Sequence, residues 1–294
     1  MITEVPGLHV GHRSDAAART GCTVVVGDEP FTASGEVRGS APATREFALL
    51  DPSATVQSID SVVLSGGSAF GLAAGDGVMA ALDQRGRGFP TPWGRVPIVV
   101  GMSLFDLPVG DPTVRPTAAD GAAALEDAFA SPGCELGLVG AGTGATVSKW
   151  RGEEATRAGG LVGVAIRDGD LVVACLVAVN AWGDLVGSPE AGLAEPEIPD
   201  PSRGDDDGGG SFGGSRVANT TIGVVATNAE VSKMGCMHMA RGAHDGLARA
   251  ISPPHASVDG DAFVAISVGG VAAPQDKVRW LAVQAVQQAI ATAA

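Results

Sequence analysis

Asn219-Thr220-Thr221-Ile222-Gly223-Val224-Val225-Ala226 joins a charged, glycine-rich stretch to an apolar run. The elements that follow this seam set the expected fold. The run predicts a strand over 221–227, then a helix over about 229–251 closed by Pro253-Pro254, a strand over 262–268 and a helix over about 276–292. Upstream the same alternation holds on a larger scale. Cys22-Thr23-Val24-Val25-Val26 and Pro97-Ile98-Val99-Val100 have the continuous apolar character of buried strands. The segments 162–166 and 171–179 flank Arg167-Asp168-Gly169-Asp170, whose Asp-Gly pair is a hairpin signal. Apolar residues near helical spacing predict helices over about 68–85 and 116–130. Strand pairs followed by long helices point to an α+β fold in which layered sheets lie between helices.

Composition narrows the functional classes. The chain has 294 residues, 45% hydrophobic and 18% charged, enough to bury a large core, in one big domain or two closely packed ones. No apolar stretch is long enough to span a bilayer, and the N-terminus has neither a basic nor an apolar leader region, so the expected address is cytoplasmic. Four dispersed cysteines without a CxxC fit reduced core thiols. A net charge of −14 with no Lys/Arg cluster argues against nucleic acid as a partner, and nothing calls for a membrane. Part of the charge sits in Glu190, Glu195, Glu197, Asp200 and Asp205-Asp206-Asp207, interleaved with prolines and glycines. Residues about 186–216 are therefore expected to form a flexible surface loop.

The seam beyond that loop suits self-cleavage. A threonine that begins a chain carries its own general base, since its free α-amine lies beside Oγ. That amine has a reference pKa of about 7.7–8.0, against about 10.4 for lysine, so a useful fraction is unprotonated at neutral pH. Attack of the Thr220 Oγ on the Asn219 carbonyl would expose it and divide the chain into 1–219 and 220–294. The same tripeptide also suits a turn opening a strand, because Asn favours turns and β-branched threonine favours strands.

Asp259-Gly260-Asp261 precedes the apolar run 262–266. In extended backbone residues two apart face the same way, so both carboxylates can address one site; a solvated turn has the same composition. A calcium loop is a poor alternative, since further oxygen ligands at fixed offsets are missing. Ser68, in Gly66-Gly67-Ser68-Ala69-Phe70-Gly71, fails the G-x-S-x-G elbow because Phe70 stands where glycine is needed; tight packing or a helix N-cap at the pocket wall is expected instead. His238 and His244, six apart and without HExxH, are expected to be surface or core residues. No cofactor or metal is expected.

Five stretches in this order carry a resemblance: Val10-Gly11-His12, Val63-Leu64-Ser65-Gly66-Gly67-Ser68-Ala69-Phe70-Gly71-Leu72, Gly142-Thr143-Gly144-Ala145, Asn219-Thr220-Thr221-Ile222-Gly223-Val224 and Asp259-Gly260-Asp261. Over nearly its whole length the chain resembles the self-processing N-terminal-nucleophile peptidases that include the L-aminopeptidase D-esterase/D-aminopeptidases, the β-peptidyl aminopeptidases and the nylon-oligomer hydrolases. The resemblance implies a four-layer αββα sandwich, with two packed mixed β-sheets between helical layers, in a homotetramer of processed protomers acting on a small molecule or short peptide. It implies Thr220 as nucleophile, Asp259 and Asp261 as the acidic pair orienting it, Asn180 as an oxyanion donor and Lys149 as the lysine near the nucleophile. Family members often carry a tyrosine where Phe105 stands, and this chain has no tyrosine, which implies altered specificity. An N-acyltransferase of the ornithine acetyltransferase type, or a non-catalytic scaffold keeping the fold, are the alternatives.

Overall fold

The computed structural model describes residues 1–131, 133–194 and 219–293; the expected loop over 186–216 lies outside them from residue 195 onward. The described residues form a mixed α+β fold built on one large mixed sheet and four α-helices. The sheet strands are β1 (Leu8–Asp15), β2 (Thr20–Val37), β3 (Ala43–Arg45), β4 (Ser58–Ser65), β5 (Val99–Ser103), β6 (Gly160–Asp168), β7 (Leu171–Val179), β8 (Ile222–Ala229) and β9 (Ala262–Val271). The helices are α1 (Ala74–Gln84), α2 (Ala118–Ala130), α3 (Lys233–Ala250) and α4 (Gln275–Ile290). Strand order is β6-β7-β8-β9-β2-β4-β5-β3, with β1 also on β2. The pairs β8–β9 and β4–β5 are parallel, and the rest are antiparallel.

The 18-residue β2 joins the two halves of the sheet. Its first part pairs with β1 from Thr20 to Gly27, and its last part pairs with β9 from Thr32 to Val37. Between them the register against β4 shifts from Val26 to Phe31. The shift falls on Asp28-Glu29-Pro30, which are exposed.

Alternation along the strands sorts their side chains into three cores. In β7, Val173, Cys175, Val177 and Val179 pack with α3 and α4 residues such as Met239, Leu247, Val278 and Val286. The alternate residues Val172, Ala174, Leu176 and Ala178 pack instead with Val25, Val62, Leu64, Val100 and Met102 from the other half of the sheet. The third core joins Cys22, Val24, Val26, Val63 and Val99 to Val78, Leu82, Leu125 and Ala128 of α1 and α2. Strands buried on both faces explain why the sequence reads as unbroken apolar runs.

The Asp-Gly hairpin forms as expected: Asp168 pairs with Leu171, and Gly169 has φ +61°. The helix expected over 68–85 is shorter, because Ser68–Ala73 is a 3₁₀ turn and α1 starts at Ala74. Helix α3 starts later than expected, because β8 continues to Ala229 and Ser232 caps the helix by accepting the Gly235 N–H at 3.2 Å. Pro97 and Ile98 lie outside β5. Among the described residues no helix is long and apolar enough to cross a membrane.

Candidate active site

Strand register brings the site together. β8 and β9 run parallel with Ile222 beside Ala262, so two residues earlier Thr220 falls beside Gly260 and Thr221 beside Asp261. β7 runs antiparallel to β8 with Ala178 beside Ile222, so Asn180, one residue past the end of β7, reaches the level of Thr220. Three strand ends therefore place residues far apart in sequence around one peptide bond.

The contacts follow that placement. The Thr220 N–H donates to Asp259 Oδ1 at 3.3 Å and the Thr221 N–H to Asp261 Oδ1 at 2.6 Å. The Gly260 N–H donates to Thr220 Oγ1 at 2.9 Å. The acidic turn is itself pinned, since its Asp259 and Asp261 carbonyls accept from the Ala41 and Arg38 N–H groups. On the other side, the Asn219 carbonyl accepts from Asn180 Nδ2 at 2.9 Å and from the Phe105 N–H at 3.2 Å. Asn180 Nδ2 also donates to the Phe105 carbonyl at 3.1 Å. Two donors converging on one carbonyl oxygen form the geometry that stabilises a tetrahedral oxyanion.

The two threonines differ. Thr220 has φ +100°, a region that a β-branched residue adopts only under strain, at a cost of about 1–3 kcal/mol. Its hydroxyl accepts a backbone hydrogen bond, whereas the buried Thr221 hydroxyl has no partner among the described residues. Thr220 is only 4% exposed, so the surrounding groups close over its own peptide bond. Two surface clefts of about 420 Å³ lie elsewhere and neither is lined by Thr220.

Lys149 is buried, and its ammonium donates to Asn180 Oδ1 at 2.7 Å, to the Thr146 carbonyl at 3.0 Å and to the Asn180 carbonyl at 3.2 Å. These bonds hold the Asn180 amide with its NH₂ turned to Asn219. Burial pulls Lys149 down to about 7, opposed by the charges of Asp259, Asp261 and Asp106. Burial, and then the Asp261 charge, push Asp259 up to about 7. An acid and a base whose proton affinities meet near neutrality suit proton transfer.

Thr220, Asp259, Asp261, Asn180, Lys149 and Asn219 thus converge, with Phe105 contributing its backbone rather than its ring. Ser68 does not join them. It is not an N-cap, because Gly67 occupies that place at φ +79° and no side chain caps the turn. Its N–H instead ties to the Leu104 carbonyl at 2.9 Å. His244 is a core histidine: fully buried, hydrogen-bonded through Nε2 to the Glu36 carbonyl, and driven down to about 3 by burial. His238 pairs with Gln275.

Sequence reasoning missed His255 and Asp106. His255 Nδ1 lies 2.8 Å from Asp261 Oδ2, and its ring packs edge-on against His244 at 5.1 Å. The only sequence signal was a lone histidine after two prolines and four residues before Asp259. Asp106 is buried and accepts from the Gly67 N–H and the Thr20 hydroxyl; a carboxylate in a loop carried no signal.

By architecture the chain resembles a solved structure of the Ntn hydrolase fold. It aligns with the L-aminopeptidase D-Ala-esterase/amidase of Ochrobactrum anthropi, described as a new variant of that fold, with a TM-score of 0.69 and 19% identity, covering 99% of this chain and 84% of that one. The model of peptidase family S58 matches residues 1–294, and the chain belongs to that family, which makes it an enzyme that hydrolyses peptide bonds. It is 40% identical to an uncharacterised aminopeptidase of Mycobacterium leprae, over 92% of this chain and 79% of that protein. It is 28% identical to a 6-aminohexanoate-oligomer endohydrolase of a Kocuria species, over 92% of this chain and 76% of that protein.

Proposed function

We propose that the chain cuts itself between Asn219 and Thr220 and then acts as an aminopeptidase or amidohydrolase through the new N-terminal Thr220. The observation that carries this reading is the Asn219 carbonyl oxygen held by Asn180 Nδ2 and the Phe105 N–H, next to a strained, buried threonine. In maturation Thr220 Oγ bonds to the Asn219 carbonyl carbon and gives up its proton to the Asp259/Lys149 pair. The oxyanion collapses, the C–N bond breaks and the nitrogen takes a proton to become the Thr220 α-amine. Water then hydrolyses the Asn219 ester. The strain at Thr220 favours this shift, since breaking the peptide bond frees φ.

In turnover the same donors hold the carbonyl of a substrate amide or ester, and the Thr220 amine shuttles the proton to the leaving amine. Asp259, which now faces the free Thr220 amine in place of a peptide N–H, and Asp261, which keeps the Thr221 N–H, bind the Thr220 ammonium or the substrate's own. Substrates are short peptides or small amino amides with a free amine, in keeping with the aminopeptidase and 6-aminohexanoate-oligomer endohydrolase relatives. The three cores support a reading in which the two halves of the one large sheet pack face to face between helical layers, four layers in all. We place the processed protomers in a cytoplasmic homotetramer that uses neither membrane, nucleic acid, cofactor nor metal.

Intact mass of the wild-type protein and of Thr220→Ala tests the reading. Fragments ending at Asn219 and starting at Thr220, in the wild type alone, are expected. A wild type that stays whole after long incubation in the folded state, or a Thr220→Ala chain that is cut, would overturn it.

A further inference from the structure

Phe105 supplies half of the oxyanion geometry with a backbone amide, yet it lies beyond the end of β5, where no ladder hydrogen bond fixes its direction. Its neighbours fix it instead. The Leu104 N–H donates to the Ser65 carbonyl and the Leu104 carbonyl accepts from the Ser68 N–H, both at 2.9 Å. On the far side, Asp106 Oδ1 accepts from the Gly67 N–H at 2.7 Å and Oδ2 from the Thr20 hydroxyl at 2.9 Å.

Two glycines make room for that carboxyl. A Cβ at Gly66 would overlap Asp106 Oδ2, and one at Gly144 would stand 2.9 Å from both the Asp106 Cβ and Oδ2. Within the glycine-rich stretches at 65–71 and 142–145, which place no side chain in the candidate chemistry, Gly66 and Gly144 thus leave room for one buried acid. Burial pushes this carboxyl above the usual range, with the Gly67 and Thr20 hydrogen bonds opposing.

We propose that Asp106 is a positioning residue: by clamping the loop after β5 to Gly67 and Thr20, it aims the Phe105 N–H at the carbonyl oxygen on which charge develops. The inference rests on Thr220 attacking that carbonyl. Its function is one of shape, so an amide of the same outline serves. Asparagine at 106 accepts from the Gly67 N–H through Oδ1 and donates to the Thr20 hydroxyl through Nδ2. Alanine does neither and leaves the Phe105 amide held only through the Leu104 bonds to Ser65 and Ser68 and through Asn180 on the Phe105 carbonyl, a looser mount for its N–H.

The test compares self-cleavage rates of purified folded precursors, followed by intact mass, for the wild type, Asp106→Ala, Asp106→Asn and Thr20→Val, with thermal unfolding of each. Asp106→Ala is expected to slow cleavage on the order of 10- to 100-fold, as for a misplaced oxyanion donor, and Asp106→Asn to restore it to within about 3-fold. In the matured enzymes the loss is expected in kcat with KM unchanged, because the donor acts on developing charge. Folded Asp106→Ala that cleaves at the wild-type rate overturns the proposal, as does Asp106→Asn as slow as alanine, which would point to charge instead of shape. Should Asp106→Ala not fold, Thr20→Val decides: slower cleavage with unchanged melting upholds the clamp, and wild-type cleavage sinks it. A wild type that never cleaves removes the Thr220 reading itself and the proposal with it, an outcome distinct from all of these.

Discussion

At the scale of residues, the chemistry depends on a few side chains whose neighbours restrict their choices. Asn180 is held on one side by Lys149 Nζ and by the Thr146 N–H on its Oδ1, leaving its NH₂ for the Asn219 and Phe105 carbonyls. Asn180→Ala is expected to slow self-cleavage by about 10²–10³; precursor accumulation on a denaturing gel over time measures it, and cleavage at the wild-type rate would remove Asn180 from the site. The pH dependence follows from Asp259 raised to about 7 and Lys149 lowered to about 7. Below that value Asp259 keeps its proton and Lys149 is an ammonium, so neither accepts the Thr220 proton; above it both are deprotonated. The cleavage rate is therefore expected to climb with pH through about 7 and then level. A rate that falls over the same range would show that a protonated group is the limiting one.

At the scale of elements, close backbone approach dominates. Helices α1 and α2 meet through glycine: a Cβ at Gly121 would overlap the Ala74 carbonyl, and one at Gly77 the Ala118 carbonyl. Gly121→Ala must push the helices apart and is expected to cost about 1–3 kcal/mol, read as a lowered denaturant midpoint with cleavage retained once folded; an unchanged midpoint would mean that the helices shift freely. Helix α2 was legible from the helical spacing of its apolar residues, and in the structure Thr117 and Asp120 close its start as a capping box, each side chain paired with the other's backbone N–H. The full length of β2 was not. Asp28-Glu29-Pro30 has turn composition, and a local window ends the strand there, whereas the structure carries it on to Val37 through a register shift.

At the scale of the whole molecule, cleavage at Asn219 would leave β8 and β9 inside the sheet, between β7 and β2, with α3 and α4 covering one face. The two fragments are expected to elute as one species in native size-exclusion chromatography and to separate only in denaturant. Separate elution without denaturant would show that the 220–294 part does not depend on the rest of the sheet. The apolar area shared across β7–β8 and β9–β2 is the physical reason for expecting them to stay together.

The sequence by itself determined the strands around the seam and the four helices, because runs such as 171–179 and 222–226 are apolar over their whole length and the Asp-Gly turn admits one hairpin; β1, β3 and β4 were not among the segments expected. It also marked Thr220, Asp259 and Asp261, since a threonine and two acids stand directly before apolar strands. Only the tertiary structure decided that Asn180 faces the Asn219 carbonyl, that the Phe105 N–H turns to the same oxygen, and that Asp106 and His255 stand behind the site. Those facts follow from register between strands tens of residues apart and from main-chain direction, neither of which is recorded in the identity of a side chain.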